Sequence, residues 1–227
     1  MANKPNVVKI LVIGDHNTGK TSIVRRYVYK QFDEYSTEAT IGMDIASKHV
    51  RVDEMTLKVQ LWDIAGQDRF IGLAPTYYRH AVAAIVAFDI TNASSLQNAK
   101  KWKTDVDDKV FLRNGDNIPV VLFANKWDLI EENPKKRQVS DTQLDEFCHE
   151  NNFIGWFSTS AKSGMNVKKG MNFMISKIIE NKKKMDIQNP SDIRGANDDN
   201  QNVDIAAHID QPRPPKSGGC CAMSTAN

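Results

Sequence analysis

A short segment near the start of the chain, residues 14–21, fits the pattern G-x-x-x-x-G-K-[ST]. In such a loop, glycines let backbone N–H groups close around phosphate oxygens, the lysine reaches the terminal phosphates, and the hydroxyl binds Mg²⁺. The alternative is a glycine-rich turn that binds no ligand. The pattern predicts a set of phosphate-binding residues, namely His16, Asn17, Thr18, Gly19, Lys20, Thr21 and Ser22.

Two later segments indicate which base would accompany the phosphates. Asp128 ends the tetrapeptide Asn-Lys-Trp-Asp, and its carboxylate can accept hydrogen bonds from the N1–H and N2 amino groups that guanine offers and adenine lacks. In the tripeptide Ser-Ala-Lys at 160–162, the backbone N–H of Ala161 would face the guanine carbonyl. Taken alone, Asn-Lys-x-Asp is also a common surface turn. The predicted base-binding residues are Asn125, Lys126, Asp128, Ser160, Ala161 and Lys162.

The elements around these segments are those that a nucleotide site requires. Residues 9–13 read as a buried strand entering the loop, and residues 21–32 read as a helix leaving it, whose N-terminus adds donors and a dipole to an anion site. The apolar run 118–124 predicts a strand that delivers Asn125 to its carboxyl end, where doubly wound sheets bind ligands.

The remaining pattern predicts the fold class. Helices are predicted at 96–110, 141–151 and 167–184, and a hairpin is predicted from 44–53 and 57–65. Alternating strands and helices predict an α/β fold. We expect a P-loop three-layer sandwich, in which a mostly parallel six-stranded sheet has one antiparallel edge strand and helices on both faces.

The composition suits one folded domain and a tail. The chain has 227 residues, of which 41% are hydrophobic and 26% charged. We expect a domain over residues 1–184 and a disordered, hypervariable tail over residues 185–227, which is rich in Asn, Asp, Gln, Pro and Gly. A net charge of +2 gives no case for nucleic-acid binding. No run reaches the roughly 20 apolar residues of a membrane-spanning helix. The N-terminus has no apolar signal region, and Ala2 stands where a myristoylation signal needs glycine, so a cytosolic protein is expected.

The tail carries adjacent cysteines, Cys220 and Cys221, after the tripeptide Ser-Gly-Gly. Residues 181–227 hold six Lys or Arg and six Asp, so attraction to anionic lipid cannot be the main anchor. In a reducing compartment, adjacent cysteines favour thioether lipids over a disulfide or zinc, and two lipid chains give stable membrane binding. Six residues follow Cys221, so the ending is not a C-a-a-X box, and unmodified exposed cysteines remain the alternative.

From about residue 7 to residue 184, the chain resembles a small GTPase of the Ras superfamily and, within it, the Rab family of membrane-traffic switches. The resemblance rests on the phosphate loop and the two base segments described above, and on Thr40 and the segment 63–67, which lie between the loop and the base segments. In addition, residues 62–70 and 77–79 are similar to the Rab-type switch II. Ile64, where most Rabs carry threonine, narrows the match. Together with the local sequences at 101–103, 107–110, 114–115 and 155–157, Ile64 makes the chain resemble one Rab branch in particular. This is the branch associated with lysosome-related organelles, endolysosomal compartments and mitochondria-proximal membranes.

The resemblance implies roles for residues outside the first motif. Thr40 would ligate Mg²⁺ and sense the terminal phosphate, Asp63 would hold Mg²⁺ through water, and the Gly66 N–H would touch the γ-phosphate. Gln67 would orient the attacking water, and Phe32 would pack over the guanine. The implied Mg²⁺ ligands are Thr21, Thr40 and Asp63, and the implied catalytic residues are Gln67 and Lys20.

The function implied by the resemblance is a GTP/GDP switch that needs Mg²⁺, hydrolyses GTP slowly and presents switch I and switch II to effectors. An exchange factor, a GAP, a prenylation escort and GDI are implied as further partners. The implied location is the cytoplasmic face of endolysosomal, phagosomal or lysosome-related endomembranes, with a cytosolic GDP-bound pool. Two alternatives are a nucleotide-loaded scaffold that scarcely hydrolyses and an ATP-dependent kinase, for which Asp128 and Ala161 would be incidental.

Two residues of the phosphate loop depart from the family pattern. His16 replaces a small residue beside the γ-phosphate, so the imidazole either crowds Gln67 and slows intrinsic hydrolysis or turns to solvent. Asn17 replaces a glycine, and asparagine tolerates left-handed backbone angles better than most residues, so the loop should still close.

Two further departures concern the expected effector surface. Seven residues, 33–39, lie between Phe32 and Thr40 where close relatives have six, so switch I should bulge. Ile45 replaces the phenylalanine of a hydrophobic patch that Rabs build with Trp62 and Tyr77. The smaller side chain should change which effectors fit.

Overall fold

The computed structural model describes residues 6–34, 40–67 and 74–188. Six strands occur in these ranges: β1 (Asn6–Ile13), β2 (Met43–Val52), β3 (Met55–Ile64), β4 (Ala83–Asp89), β5 (Val120–Asn125) and β6 (Trp156–Ser158). The same ranges contain the helices α1 (Lys20–Tyr29), α2 (Ala74–Tyr78), α3 (Ala93–Lys109), α4 (Asp128–Glu132), α5 (Asp141–Glu150) and α6 (Val167–Gln188). A 3₁₀ turn, Pro134–Lys136, lies between α4 and α5.

The strands form one sheet in the order β2-β3-β1-β4-β5-β6. β2 and β3 pair antiparallel, with Met43 opposite Ile64, whereas the other neighbouring strands are parallel. The predicted sheet, mostly parallel with one antiparallel edge strand, is confirmed. Parallel pairing brings the carboxyl ends of β1, β4, β5 and β6 to one edge of the sheet, where ligands bind in this class of fold.

The central strands are buried on both faces. Residues 10–13 of β1, 83–86 of β4 and 120–124 of β5 are fully buried. Because consecutive strand residues point to opposite faces, this burial requires cover on both sides, and α3 packs against β4 while α6 packs against β5. Burying each Val, Leu or Ile contributes roughly 1.5–3 kcal/mol. The core therefore holds the strand ends, and the loops that follow them, in fixed positions.

The helix ends differ by a few residues from those predicted. α1 ends at Tyr29 because Lys30 takes a left-handed conformation with φ of 59°. α3 begins at Ala93, before the predicted residue 96, because the Asn92 side chain caps its N-terminus. α6 continues to Gln188, past the predicted end at residue 184.

The structure bears on some sequence predictions and not on others. Cys148, on helix α5, is buried. In the part of the chain that the structure describes, no helix is long and apolar enough to cross a membrane. Residues 35–39, where the switch I bulge was predicted, and the tail from residue 189, with Cys220 and Cys221, lie outside the described residues.

Candidate functional site

The loop between β1 and α1 contains the predicted phosphate-binding residues. Asn17 has φ of 63°, so this asparagine takes the left-handed conformation expected of the glycine it replaces. Gly19 has φ of 87°, and a Cβ there would lie 2.4 Å from Asn125 Nδ2. Only glycine fits this position, because the amide of Asn125 occupies the space of a side chain.

Lys20 is the first residue of α1, and its side chain turns back into the loop. The ammonium donates to the carbonyl of Asp15 at 2.9 Å, and the residue is 6% exposed. Burial lowers the pKa of Lys20, although the charges of Asp63 and Asp15 oppose that shift. An anionic ligand at the loop would favour the charged form of this buried lysine.

Three oxygen-bearing side chains converge beside Lys20. The hydroxyl of Thr21 lies 2.8 Å from the hydroxyl of Thr40 and donates to Asp63 Oδ2 at 2.5 Å. Asp63 is 1% exposed, and its other oxygen, Oδ1, has no hydrogen-bond partner among the described residues. Burial raises the pKa of Asp63, while the hydrogen bond from Thr21 and the charge of Lys20 act in the opposite direction. Two hydroxyls and an unsatisfied carboxylate oxygen form a donor set that suits a hard divalent cation.

The loop after β3 lies directly against the phosphate loop. A Cβ on Gly66 would stand 2.3 Å from the backbone nitrogen of His16 and 2.6 Å from the carbonyl carbon of Asp15. A side chain at this position would therefore push the two loops apart. The side chains of His16 and Gln67 are both exposed, so the two predicted neighbours of the terminal phosphate face the open side of the site.

Asn125 joins the base segment to the phosphate loop. Its side chain is 1% exposed; Nδ2 donates to the carbonyl of Thr18 at 2.8 Å, and Oδ1 accepts from the Ala161 N–H at 3.3 Å. The Ala161 N–H, expected to face a base carbonyl, thus makes a long hydrogen bond to Asn125. Three segments that are far apart in the sequence meet at one amide.

The predicted base-binding side chains lie together at the ends of β5 and β6. Ser160 is fully buried, and its hydroxyl donates to Asp128 Oδ1 at 2.6 Å while accepting the Ser163 N–H at 3.0 Å. Lys126 has φ of 66°, and its ammonium forms an ion pair with Asp89 Oδ2 at 2.8 Å. The hydrogen bond from Ser160 orients the Asp128 carboxylate at the carboxyl edge of the sheet.

Phe32 lies in the segment after α1. The ring is half-buried against the core, and it lines an open pocket with Arg25 and Tyr29. Two residues further on, Glu34 accepts from the Lys162 ammonium at 2.9 Å. The ion pair joins the segment after α1 to the Ser-Ala-Lys segment.

Sequence reasoning missed several residues that support the site. Arg26 of α1 donates through Nε to the carbonyl of Ala161 at 2.7 Å, and through Nη2 to the carbonyl of Lys162. Asn98 and Trp102 of α3 bind the Asp15 carboxylate. An arginine in a helix and a buried tryptophan have no local pattern that marks them, so only tertiary contacts identify them.

Comparison with known proteins identifies relatives over most of the chain. A model of the Ras family matches residues 9–180. Ras-related protein Rab-32 from Homo sapiens is 46% identical over 179 residues, which cover 78% of this chain and 77% of that protein. Ras-related protein Rab-32A from Dictyostelium discoideum is 40% identical over 215 residues, 94% of this chain and 92% of that protein. Ras-related protein Rab-7L1 from Homo sapiens is 41% identical over 182 residues, with coverages of 80% and 87%.

Proposed function

The chain belongs to the Ras family of small GTPases and, within it, to the Rab GTPases, and from this premise we propose how its residues divide the work of the site. As a Rab GTPase, it is a GTP-binding switch of membrane traffic that hydrolyses GTP to GDP and associates with endomembranes. The resemblance to the Rabs of lysosome-related organelles is confirmed by its relatives Rab-32 and Rab-7L1. The scaffold and kinase alternatives are not favoured, because the relatives are GTPases.

Lys20 and the N–H groups of residues 16–22 hold the β- and γ-phosphates. The proposal is supported by the position of the Lys20 ammonium, which is buried in the loop and bonded to the carbonyl of Asp15. A phosphate oxygen would give this cation the anionic partner that its burial calls for. The adjacent N-terminus of α1 adds its dipole to the same anion site.

Thr21, Thr40 and Asp63 would hold Mg²⁺, the threonines through their hydroxyls and Asp63 through water. The fit rests on the convergence of these oxygens and on the unsatisfied, buried Oδ1 of Asp63. An ion held there would neutralise negative charge on the β- and γ-phosphates. Thr40 would sense the terminal phosphate, because its hydroxyl lies in the same oxygen cluster as Thr21 and the buried Asp63.

Asp128 selects guanine by accepting from its N1–H and N2 amino group. Asn125, Lys126, Ser160, Ala161 and Lys162 position that carboxylate and border the base, and Phe32 covers the base from the side of α1. The single observation that carries the proposed site is the chain of direct contacts across it. Thr21 bonds to Asp63, and Asn125 bonds both to Thr18 and to Ala161.

Gln67 orients the water that attacks the γ-phosphate, and Lys20 stabilises the charge that develops there. The proposal for Gln67 is supported by its place beside Gly66, which lies against the backbone of His16. Intrinsic turnover is slow, and a GAP raises it. Loss of the γ-phosphate releases Thr40 and Gly66, so the two switches change conformation.

The finer cellular assignment follows from the same premise. Effectors bind the GTP form through switch I and switch II, while an exchange factor, a GAP, a prenylation escort and GDI act on the cycle. Two prenyl groups on Cys220 and Cys221 attach the protein to the cytoplasmic face of endolysosomal, phagosomal or lysosome-related membranes. A GDP-bound pool is cytosolic.

Nucleotide competition and single-turnover hydrolysis on the full chain test this function. In the presence of Mg²⁺, unlabelled GTP should displace fluorescent GTP at concentrations at least about a thousandfold lower than ATP requires, because a site built to pair polar groups rejects an analogue that lacks them. The preloaded protein should release phosphate in a single slow phase. Displacement by ATP at the same concentrations as GTP would contradict the proposal. So would a lack of phosphate release after prolonged incubation with saturating Mg²⁺.

A further inference from the structure

The carboxylate of Asp15 belongs to the phosphate loop but is held by helix α3. Asp15 Oδ2 accepts from Asn98 Nδ2 at 2.6 Å, and Oδ1 accepts from Trp102 Nε1 at 2.9 Å. Each carboxylate oxygen thus receives one N–H donor from the same helix. Hydrogen bonds to a charged acceptor are stronger than those between neutral groups.

The donors themselves are held firmly. Asn98 and Trp102 are four residues apart, so both lie on one face of α3. The indole of Trp102 is 1% exposed, and α3 packs against the central strand β4. The helix therefore presents two fixed donors to the loop.

The backbone of Asp15 contacts the proposed catalytic apparatus. Its carbonyl accepts from the Lys20 ammonium at 2.9 Å and from the Thr18 hydroxyl at 2.9 Å. Its carbonyl carbon and the nitrogen of His16 also lie where a Cβ on Gly66 would stand. Displacement of this one peptide unit would move both the lysine that faces the phosphates and the surface against which Gly66 rests.

We propose that Asn98 and Trp102 are positioning residues, which fix the Asp15–His16 peptide and thereby set Lys20 and Gly66 for the terminal phosphate of GTP. This inference rests on the proposed function of the site. Asn98 and Trp102 hold the part of the phosphate loop that contacts Gly66. Removing their hydrogen bonds should therefore affect steps that involve the γ-phosphate more than it affects the binding of GDP. Small displacements of groups that stabilise developing charge have large effects on rate.

The chain offers matched variants. Trp102→Phe removes one N–H and keeps a buried ring, and Asn98→Ala removes the other donor. Asn98→Asp places two carboxylates face to face, whereas the double variant Asp15→Asn with Asn98→Asp restores a donor–acceptor pair with the roles exchanged. Trp156→Phe is the control, because Trp156 Nε1 donates to Asp145 at 2.8 Å in a comparable bond that does not touch the phosphate loop.

The measurements are single-turnover hydrolysis of preloaded GTP, dissociation of fluorescent GTP and GDP, and the melting temperature, all on the full chain with Mg²⁺. Trp102→Phe, Asn98→Ala and Asn98→Asp should each slow hydrolysis about 5- to 20-fold and accelerate GTP dissociation at least fivefold more than GDP dissociation. The double variant should recover to within about threefold of wild type, and Trp156→Phe should stay within about twofold. If Trp102→Phe does not fold, the Asn98 variants and the double variant decide the matter.

Two results would overturn the inference. Hydrolysis within twofold of wild type in the Asn98 variants would mean that α3 does not position the loop. Equal acceleration of GTP and GDP dissociation, with no recovery in the double variant, would mean that the contacts serve only to stabilise the fold. Failure of the wild-type chain itself to bind or hydrolyse GTP would instead refute the proposed function, and this inference with it.

Discussion

The ammonium of Lys9 lies 3.3 Å from the centroid of the Trp62 ring and donates to the carbonyl of Arg79 at 2.8 Å. Lys9 is in the central strand β1, Trp62 is in β3, and Arg79 follows α2, so one cation joins three elements. Trp62 belongs to the patch expected to bind effectors, with Ile45 41% exposed beside it in β2. The buried ammonium of Lys9 therefore packs against Trp62 and supports this patch.

In the Lys9→Met variant, the free energy of unfolding should rise less steeply with alkaline pH than it does in the wild type. Burial lowers the pKa of Lys9 from 10.5 to about 8. Between these values the unfolded chain binds more protons than the folded one, so the free energy of unfolding of the wild type rises with pH. One proton contributes up to about 1.4 kcal/mol per pH unit in this window. Urea unfolding of wild type and variant at pH 7.5, 9 and 10 measures the difference.

The control for that experiment is Lys101→Met, which alters an exposed lysine of α3. Its unfolding free energy should follow that of the wild type across the same pH range. If the stability of Lys9→Met rises with pH as steeply as that of the wild type, Lys9 does not titrate in this window.

Asp128→Asn tests base selection. The amide offers a donor where guanine presents its own N–H groups, so GTP affinity should fall by at least about a hundredfold while xanthosine triphosphate, with a carbonyl at C2, binds better than GTP. Asp141→Asn is a matched control, because Asp141 is also the first residue of a helix but pairs with Arg137 at the surface. Unchanged GTP affinity in Asp128→Asn would refute the assigned base site.

Thr21→Asn and Gln67→Leu should move the switch in opposite directions. Thr21→Asn removes a proposed Mg²⁺ ligand that matters most for the triphosphate, so this variant should prefer GDP. Gln67→Leu removes the amide that orients water, so hydrolysis should slow by at least about tenfold. Effector capture should fall in the first variant and rise in the second. Equal capture by both would mean that binding does not depend on the nucleotide.

His16→Gly tests whether the imidazole hinders hydrolysis. The backbone of residue 16 lies against Gly66, the residue that precedes Gln67. If the ring crowds the attacking water, the glycine variant should hydrolyse GTP several-fold faster than wild type in single-turnover measurements. His49→Gly in the exposed part of β2 serves as a control for loss of an imidazole. A level rate in His16→Gly would show that the ring turns to solvent.

The fold and the site differ in how far the sequence predicts them. Strands such as β1 and β5 are continuous apolar runs, and the motifs at their carboxyl ends are local patterns, so both could be recognised one segment at a time. The left-handed Lys30 that ends α1 has no such pattern. The contacts of Asp15 with Trp102, and of Arg26 with Ala161, join residues far apart in the chain. They depend on how helices pack on the sheet, which periodicity does not encode.

Replacing Cys220 and Cys221 together with serine tests the proposed membrane anchor. Lipid burial contributes about 0.8 kcal/mol per CH₂, whereas residues 181–227 carry equal numbers of Lys or Arg and Asp and so offer no net electrostatic attraction. The double variant should therefore be cytosolic with either nucleotide bound, and each single variant should bind membranes weakly and reversibly. Fractionation measures this distribution, and mass spectrometry of the C-terminal peptide should find two isoprenoids. A double variant that still sediments with membranes would mean that a protein partner, rather than lipid, holds the chain there.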